Sequence, residues 1–416
     1  MTAVASGNAD RRERGLAVCD GTMKVSLSEA SWKKIRLGDV CRVVPGHAFR
    51  SEHWQKTGVP VIKIKNICGD NTVDVTDTDC VPEELVTERL SKFVLRDSDI
   101  LIAMTGATAG KVGKLRTDRP MLLNQRVARI EPVEADRDFV WFVLSSKEYE
   151  SRFFRLADGA AQPNMSGSQI EGVELFLPPL PIQRKIASIL SAYDDLIENN
   201  TLRIKILEEM AQTIYREWFI HFRFPGYEKL KMVDSPLGKI PEGWVVKKLG
   251  DVIELAYGRA LKAENRVDGL VVVYGSGGVV GYHNEGLVKG PGVIVGRKGN
   301  VGRVYWSDDD FFPIDTVFYV QTEISLAYAF YNLRSQNFIN NDAAVPGLNR
   351  NQAYLLPFLL PNSGVLTQFQ DVVSCLFAQI NNLRNESANL RRTRDLLLPG
   401  LISGELDVES IGRRVD

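Results

Sequence analysis

The chain has 416 residues, 44% hydrophobic and 25% charged, which is enough for two or three cored domains and offers no apolar run long enough to span a bilayer. With 51 basic and 52 acidic side chains the net charge is −1, so a uniformly basic nucleic-acid binder is excluded and local charge becomes the question. Five scattered cysteines without a C-x-x-C pair, and four histidines without metal-ligand spacing, point to no metal site and to a reducing, cytoplasmic setting.

Residues 1–25 are polar, carry Arg11, Arg12 and Arg14, and lack the apolar core of a signal peptide. They read as a disordered leader, or as an upstream extension with Met23 the true start. A first lobe is expected over 26–180. It opens on Trp32-Lys-Lys-Ile-Arg-Leu-Gly-Asp-Val40 and runs through short Val/Ile-rich strands such as Val59 to Lys65, then a helical patch from Phe139 to Phe154. From Ile182 to Phe219 there is neither proline nor glycine, which predicts one continuous helix over 181–222, roughly 55 Å long. A connector at 223–243 leads into a second lobe, the two together spanning 223–362. A second long helix and tail occupy 363–416, and Pro399-Gly400 is the predicted helix stop.

The two lobes are copies. Trp32 to Val40 recurs as Trp244 to Val252, an offset of 212 that also carries Gly46 onto Gly258. Asp99-Ile-Leu-Ile-Ala-Met-Thr-Gly106 parallels Gly292-Val-Ile-Val-Gly-Arg-Lys-Gly299. Ala160 to Met165 parallels Ala343 to Leu348, and Leu177-Pro178 parallels Leu360-Pro361, now at an offset of 183. The second copy is therefore shorter in its middle. The expected fold is α/β (α+β): two mixed lobes related by a pseudo-twofold and separated by two long, antiparallel, coiled-coil-like helices.

Steps of four and three trace a heptad seam along the first helix: Ile186, Leu190, Tyr193, Ile197, Asn200, Ile204, Leu207, Ala211 and Ile214. A partner seam on the second runs Val373, Leu376, Ile380, Leu383, Ser387, Leu390, Arg394 and Leu397. Each helix packing only on its own lobe is the simpler alternative. If the seams meet, a buried Asn200 would fix register at some cost in stability.

Catalytic motifs fail one by one. Gly106-Ala-Thr-Ala-Gly-Lys111 has three residues between glycines and Val112 after the lysine, unlike a phosphate-binding loop. Gly290-Pro-Gly292 precedes a strand, so the dinucleotide fingerprint fails too. No Asn-Pro-Pro-aromatic tetrad is present. A binding module without catalysis of its own is the reading that remains.

Charge is segregated: residues 105–130 hold six basic side chains and one acid, and residues 286–307 hold four basic and no acid. Glycines let backbone approach a ligand, and Lys or Arg beside them suits phosphates and guanine edges, as Asn and Gln suit adenine. The candidate DNA contacts are Lys63, Lys65, Asn66, Thr105, Lys111, Lys114, Asn124, Gln125 and Arg126 in the first copy. In the second they are Tyr274, Ser276, Arg297, Lys298, Asn300 and Arg303. A solvated turn with incidental charge is the alternative for any one of them. A carbohydrate-type or other interaction protein, using Trp54, Tyr257, Tyr282 and Trp306, is the alternative for the whole. A specificity half of a fused nuclease–methylase enzyme predicts genomic fusion or catalytic motifs, and the second of these is missing here.

Several segments in order resemble one family. Leu177-Pro-Pro-Leu-Pro-Ile-Gln-Arg-Lys-Ile-Ala-Ser-Ile-Leu190 is similar to the central region of specificity subunits of type I restriction-modification systems. Ile240 to Val252, Tyr274 to Gly286 and Gly290 to Gly302 resemble their second target-recognition domain. Leu398 to Val408 resembles their C-terminal segment. The second copy departs at Asn362 to Gln370. The resemblance implies that each lobe reads half of a split, asymmetric DNA sequence. It also implies that the helices act as a ruler and as a platform for two methyltransferase subunits, with restriction (motor–nuclease) subunits joining for cleavage. S-adenosylmethionine, ATP and Mg would be bound by those partners, with no cofactor in this chain.

Overall fold

The computed structural model describes residues 32–157, 164–338 and 347–408. The leader, and most of the Ala160–Met165 and Ala343–Leu348 pair of repeats, lie outside the described residues. The chain divides into two compact units, Met1–Asp194 with Arg392–Asp416, and Asp195–Arg391.

The offset of 212 and the offset of 183 both appear in strand pairing. In the first unit Lys33–Arg36 pairs antiparallel with Glu174–Leu177, Lys33 opposite Leu177. In the second Val245–Lys248 pairs with Pro357–Leu360, Val245 opposite Leu360. The match extends to bonds outside the ladder, with Leu37 N–H donating to Val173 O and Leu249 N–H to Leu356 O, each at 2.8 Å.

Each unit holds a four-stranded antiparallel sheet of one order. In the first it is Cys41–Pro45, Val127–Pro132, Ile100–Ala103, Val112–Lys114. In the second it is Glu254–Tyr257, Val317–Gln321, Gly292–Gly296, Val304–Ser307. The central strands read Ile-Leu-Ile-Ala and Gly-Val-Ile-Val-Gly because both faces are buried. A second sheet centres on a parallel pair in each unit, Val59–Ile62 with Met121–Leu123 and Val271–Gly275 with Phe311–Pro313. The first unit adds Val94–Leu95 to that sheet, and the shorter copy has only three strands there.

Close backbone approach explains the matched glycines. A Cβ on Gly46 would sit 2.2 Å from Asn124 O, and one on Gly258 2.1 Å from Ile314 O. Any side chain would force the strands apart. The helical patch of the first lobe is two helices, Arg137–Leu144 and Lys147–Ala157; that of the second is Leu326–Ser335.

The first long helix runs Leu180–Tyr215 and continues as a π-helical turn, Arg216–Ile220. Its entry is locked by Gln183, 2% exposed, whose Nε2 donates to Pro178 O at 2.8 Å while its Oε1 accepts from Asp136 N–H at 2.9 Å. The departure noted at Asn362 to Gln370 replaces this lock. Leu366 packs in the position of Gln183, and Asn362 Oδ1 accepts from Val365 N–H at 2.9 Å.

The second long helix runs Ser363–Ser403, so the predicted stop at Pro399-Gly400 is corrected: Pro399 lies inside the helix. A mid-helix proline forfeits one backbone bond, at a cost of about 3 kcal/mol. Leu401 and Ile402, 0% and 8% exposed, offset this by anchoring the last turn in the first unit's core. Gly404, at φ +80°, ends the helix, and Leu406 N–H donates back to Gly400 O at 2.9 Å.

Within the second unit the long helices lie antiparallel. Arg384 donates to Glu208 at 2.8 Å, and a helical turn or more away Tyr215 packs on Phe369, ring centroids 6.3 Å apart. Within the first unit Arg394 is paired with Asp194. Along the seams Ile186, Leu190, Ile197, Asn200, Ala211, Val373, Ile380, Leu383 and Ser387 are buried. Tyr193, Ile204, Leu207, Ile214, Leu376, Leu390 and Leu397 are half-buried. Asn200 Nδ2 and Ser387 Oγ have no hydrogen-bond partner among the described residues.

Candidate nucleic-acid interface

Most of the loops singled out by glycine and charge come together at one end of each four-stranded sheet, whereas Lys114, opposite Ile100, is at the other end of its sheet. In the first unit Met104 N–H donates to Arg126 O at 3.0 Å, Gln125 N–H to His47 O at 2.9 Å, and Met165 N–H to Met104 O at 2.8 Å. Thr105 bridges to Asn164. In the second unit Arg297 and Lys298 N–H donate to Thr316 O at 2.9 and 3.1 Å, and Leu348 N–H to Arg297 O at 2.7 Å. Lys298 bridges to Gly347. The same turn is made by Gly106 at φ +76° and Gly299 at φ +81°, a left-handed backbone that suits glycine.

The side chains on this shared frame fare differently. Lys63 is ion-paired to Asp79 at 2.9 Å and lies 3.3 Å over the Trp54 ring. Lys65 meets Asp77 at 3.2 Å and Asp79 at 3.5 Å; its hydrogen bond to Asp77 holds its pKa above the usual lysine value. Asp79 is held below the usual carboxylate range, first by the hydrogen bond from Lys63. Asn66 is 1% exposed and satisfied inside, its Nδ2 donating to Asp74 O and Asp77 O at 2.8 and 2.9 Å. Lys114 is paired to Asp138 at 2.7 Å. Asn124 is buried beside Gly46. Thr105 and Lys111 are half-exposed, and Gln125 and Arg126 exposed.

In the second unit Tyr274 is 8% exposed, packed on Phe311, and burial raises its pKa. Ser276 is half-buried, its carbonyl accepting from Tyr305 Oη at 2.9 Å. Arg297 donates through Nε and Nη2 to Asp315 O at 3.1 and 2.6 Å, without a carboxylate partner among the described residues. Lys298, Asn300 and Arg303 are exposed. The structure thus turns Asn66, Asn124 and Tyr274 inward and ties Lys63, Lys65 and Lys114 to acids. It presents Lys111, Gln125 and Arg126 in one unit and Lys298, Asn300 and Arg303 in the other.

Sequence reasoning missed Arg350, at the first turn of the helix Arg350–Tyr354. Its guanidinium lies 4.7 Å from the Tyr257 ring centroid. The offset of 183 was the available signal, since it places Arg350 on Gly167, each directly after a capping residue, Asn349 and Ser166. Trp306, named as a sugar-stacking aromatic, is packed on Phe377 with its Nε1 donating to Asp308 at 2.8 Å.

Comparison with known proteins agrees with this duplicated plan. The family described as Type I restriction modification DNA specificity domain matches residues 29–209 and 241–372, one stretch per copy. The chain is 27% identical over 334 residues to the type I restriction enzyme MjaIX specificity subunit of Methanocaldococcus jannaschii, covering 70% of this chain and 74% of that one. It is 24% identical over 288 residues to the MjaVIII specificity subunit of the same organism, covering 68% of this chain and 59% of the relative. The crystal structure of the type I restriction-modification system S subunit from M. genitalium shares the fold at a TM-score of 0.55 and 17% identity, covering 91% of this chain and 98% of that one. No helix among the described residues is long and apolar enough to cross a membrane. The chain belongs to the type I restriction modification DNA specificity domain family.

Proposed function

We propose that this chain is the non-catalytic, DNA-reading subunit of a cytoplasmic type I restriction-modification complex. Each lobe reads one half of a bipartite, asymmetric target through its glycine-rich loops. The long helices set the spacing and dock two methyltransferase subunits, with Asn200 holding their register, and restriction subunits join for cleavage. S-adenosylmethionine, ATP and Mg belong to those partners, which flip out and methylate the adenine and drive the motor.

One observation carries this reading. The loops hang on the same backbone bonds in both units, Met165 to Met104 and Leu348 to Arg297, yet present different side chains. One frame with two unlike sets of donors is what two unlike half-sites require.

The test is a lobe exchange in the host. Replacing residues 32–176 with the same segment of a relative, followed by methylome sequencing, is expected to change one half of the methylated sequence and leave the other half and the spacer intact. Change in both halves, or methylation indifferent to this chain, would refute the reading.

A further inference from the structure

Three side chains of the second unit have no chemical counterpart in the first. Tyr257 stands where the first copy has Pro45, Arg297 where it has Met104, and Arg350 where it has Gly167. The frame brings two of the three positions together in the first unit as well, since a Cβ on Gly167 would lie 3.5 Å from Pro45. In the second unit the result is a cationic cluster around an aromatic ring. Tyr257 is 51% exposed, with the Arg297 guanidinium carbon 5.2 Å and that of Arg350 4.7 Å from its ring centroid.

The anchoring of these guanidiniums is one-sided. Arg297 spends Nε and Nη2 on Asp315 O, and Arg350 donates Nη1 to Leu255 O at 3.4 Å. Backbone carbonyls orient a guanidinium without cancelling its charge. Neither arginine has an ion pair among the described residues. Arg350 Nε is buried without a hydrogen-bond partner among the described residues, so the donors left to face a phosphate are the terminal guanidinium nitrogens, planar groups that lose little side-chain freedom on binding. The first unit's Lys63, Lys65 and Lys114, by contrast, are each bound to a carboxylate.

We propose that Tyr257, Arg297 and Arg350 form a phosphate clamp on duplex DNA, which makes the second lobe the electrostatic anchor of the chain. The proposal rests on the DNA-reading function above. Tyr257 is a positioning residue: its ring sets the guanidinium planes, and the arginines make the contacts.

The test is a salt titration of the full chain, with its methyltransferase subunits, against a duplex carrying the methylated target. Arg350→Gln is expected to weaken binding to all duplexes alike and to reduce the slope of log K against log salt by about 0.9, one phosphate contact. Arg350→Lys keeps the slope, and Tyr257→Leu weakens binding with the charges still present. The pair Arg297→Gln with Arg350→Gln reduces the slope more than the pair Lys63→Gln with Lys65→Gln. An unchanged slope in an Arg350→Gln protein that melts like the wild type overturns the clamp. So does a change of base preference in place of the slope change, or an equal loss from the first-lobe pair. A wild-type complex without salt-dependent DNA affinity would instead remove the underlying function.

Discussion

The two lobes share the frame of their four-stranded sheets to the level of single hydrogen bonds and differ in what surrounds their charges. In the first, three of the candidate lysines face acids supplied by their own lobe, while Lys111 and Arg126 do not among the described residues: Lys63 and Lys65 meet Asp77 and Asp79, and Lys114 meets Asp138. In the second, Arg297 and Arg350 are held by carbonyls and by Tyr257. Duplication copies geometry, because geometry depends on a few glycines and apolar positions. Ligand chemistry is set by side chains that the frame leaves free to vary, so equal folds need not be equal binders.

The comparison is open to attack in three places. The largest effect is expected in the cores, where the position after each helix entry is Ile186 in one copy and Phe369 in the other. Phe369 is fully buried with its ring 4.9 Å from that of Phe219. Phe369→Ala is expected to cost about 3–5 kcal/mol and Ile186→Ala about 2–4 kcal/mol, read from urea denaturation midpoints. A larger loss at Ile186 would show that the first core, not the second, depends more on its long helix.

Next come the glycines that let the loops approach the sheet. Gly46→Ala and Gly258→Ala should each destabilise by about 1–3 kcal/mol, and by similar amounts, since each Cβ would overlap a carbonyl oxygen. Thermal melts in which one substitution is tolerated would break the equivalence of the frames. The smallest effect sharpens the contrast in charge. Asp79→Asn removes a shared carboxylate partner of Lys63 and Lys65, and should steepen the salt dependence of DNA binding by up to about 0.9 for each lysine that then reaches a phosphate. An unchanged slope would mean that these lysines do not face the duplex.

Much of the fold was legible because it is periodic or repeated. The offsets of 212 and 183 set the register of both edge pairings, and the absence of proline and glycine after Ile182 marked the first long helix. The stop at Pro399 misled because a local rule was overridden by burial of Leu401 and Ile402, a contact made with residues far away in sequence. The site was less legible for a related reason. Lys63 and Asp79 are sixteen positions apart, and only the sheet reveals that the acid cancels the base. Asn66 and Asn124 carry the right groups for base readout, yet the loop backbone consumes those of Asn66 and Asn124 is buried. Arg350 sits in a short polar helix without a basic run, so composition gave it no emphasis.

The first unit is assembled from both ends of the chain, residues up to 194 and from 392 onward, whereas the second is one uninterrupted stretch. On a ribosome, synthesis would therefore deliver every residue of the second unit before the first could be sealed by Leu401 and Ile402. A nascent chain would complete the later-encoded lobe earlier, with the earlier-encoded one waiting, its core short of a wall, for the last turns of the second long helix to emerge. Loss of only the closing residues, from Leu398 onward, would accordingly damage the lobe that lies furthest from them in the gene.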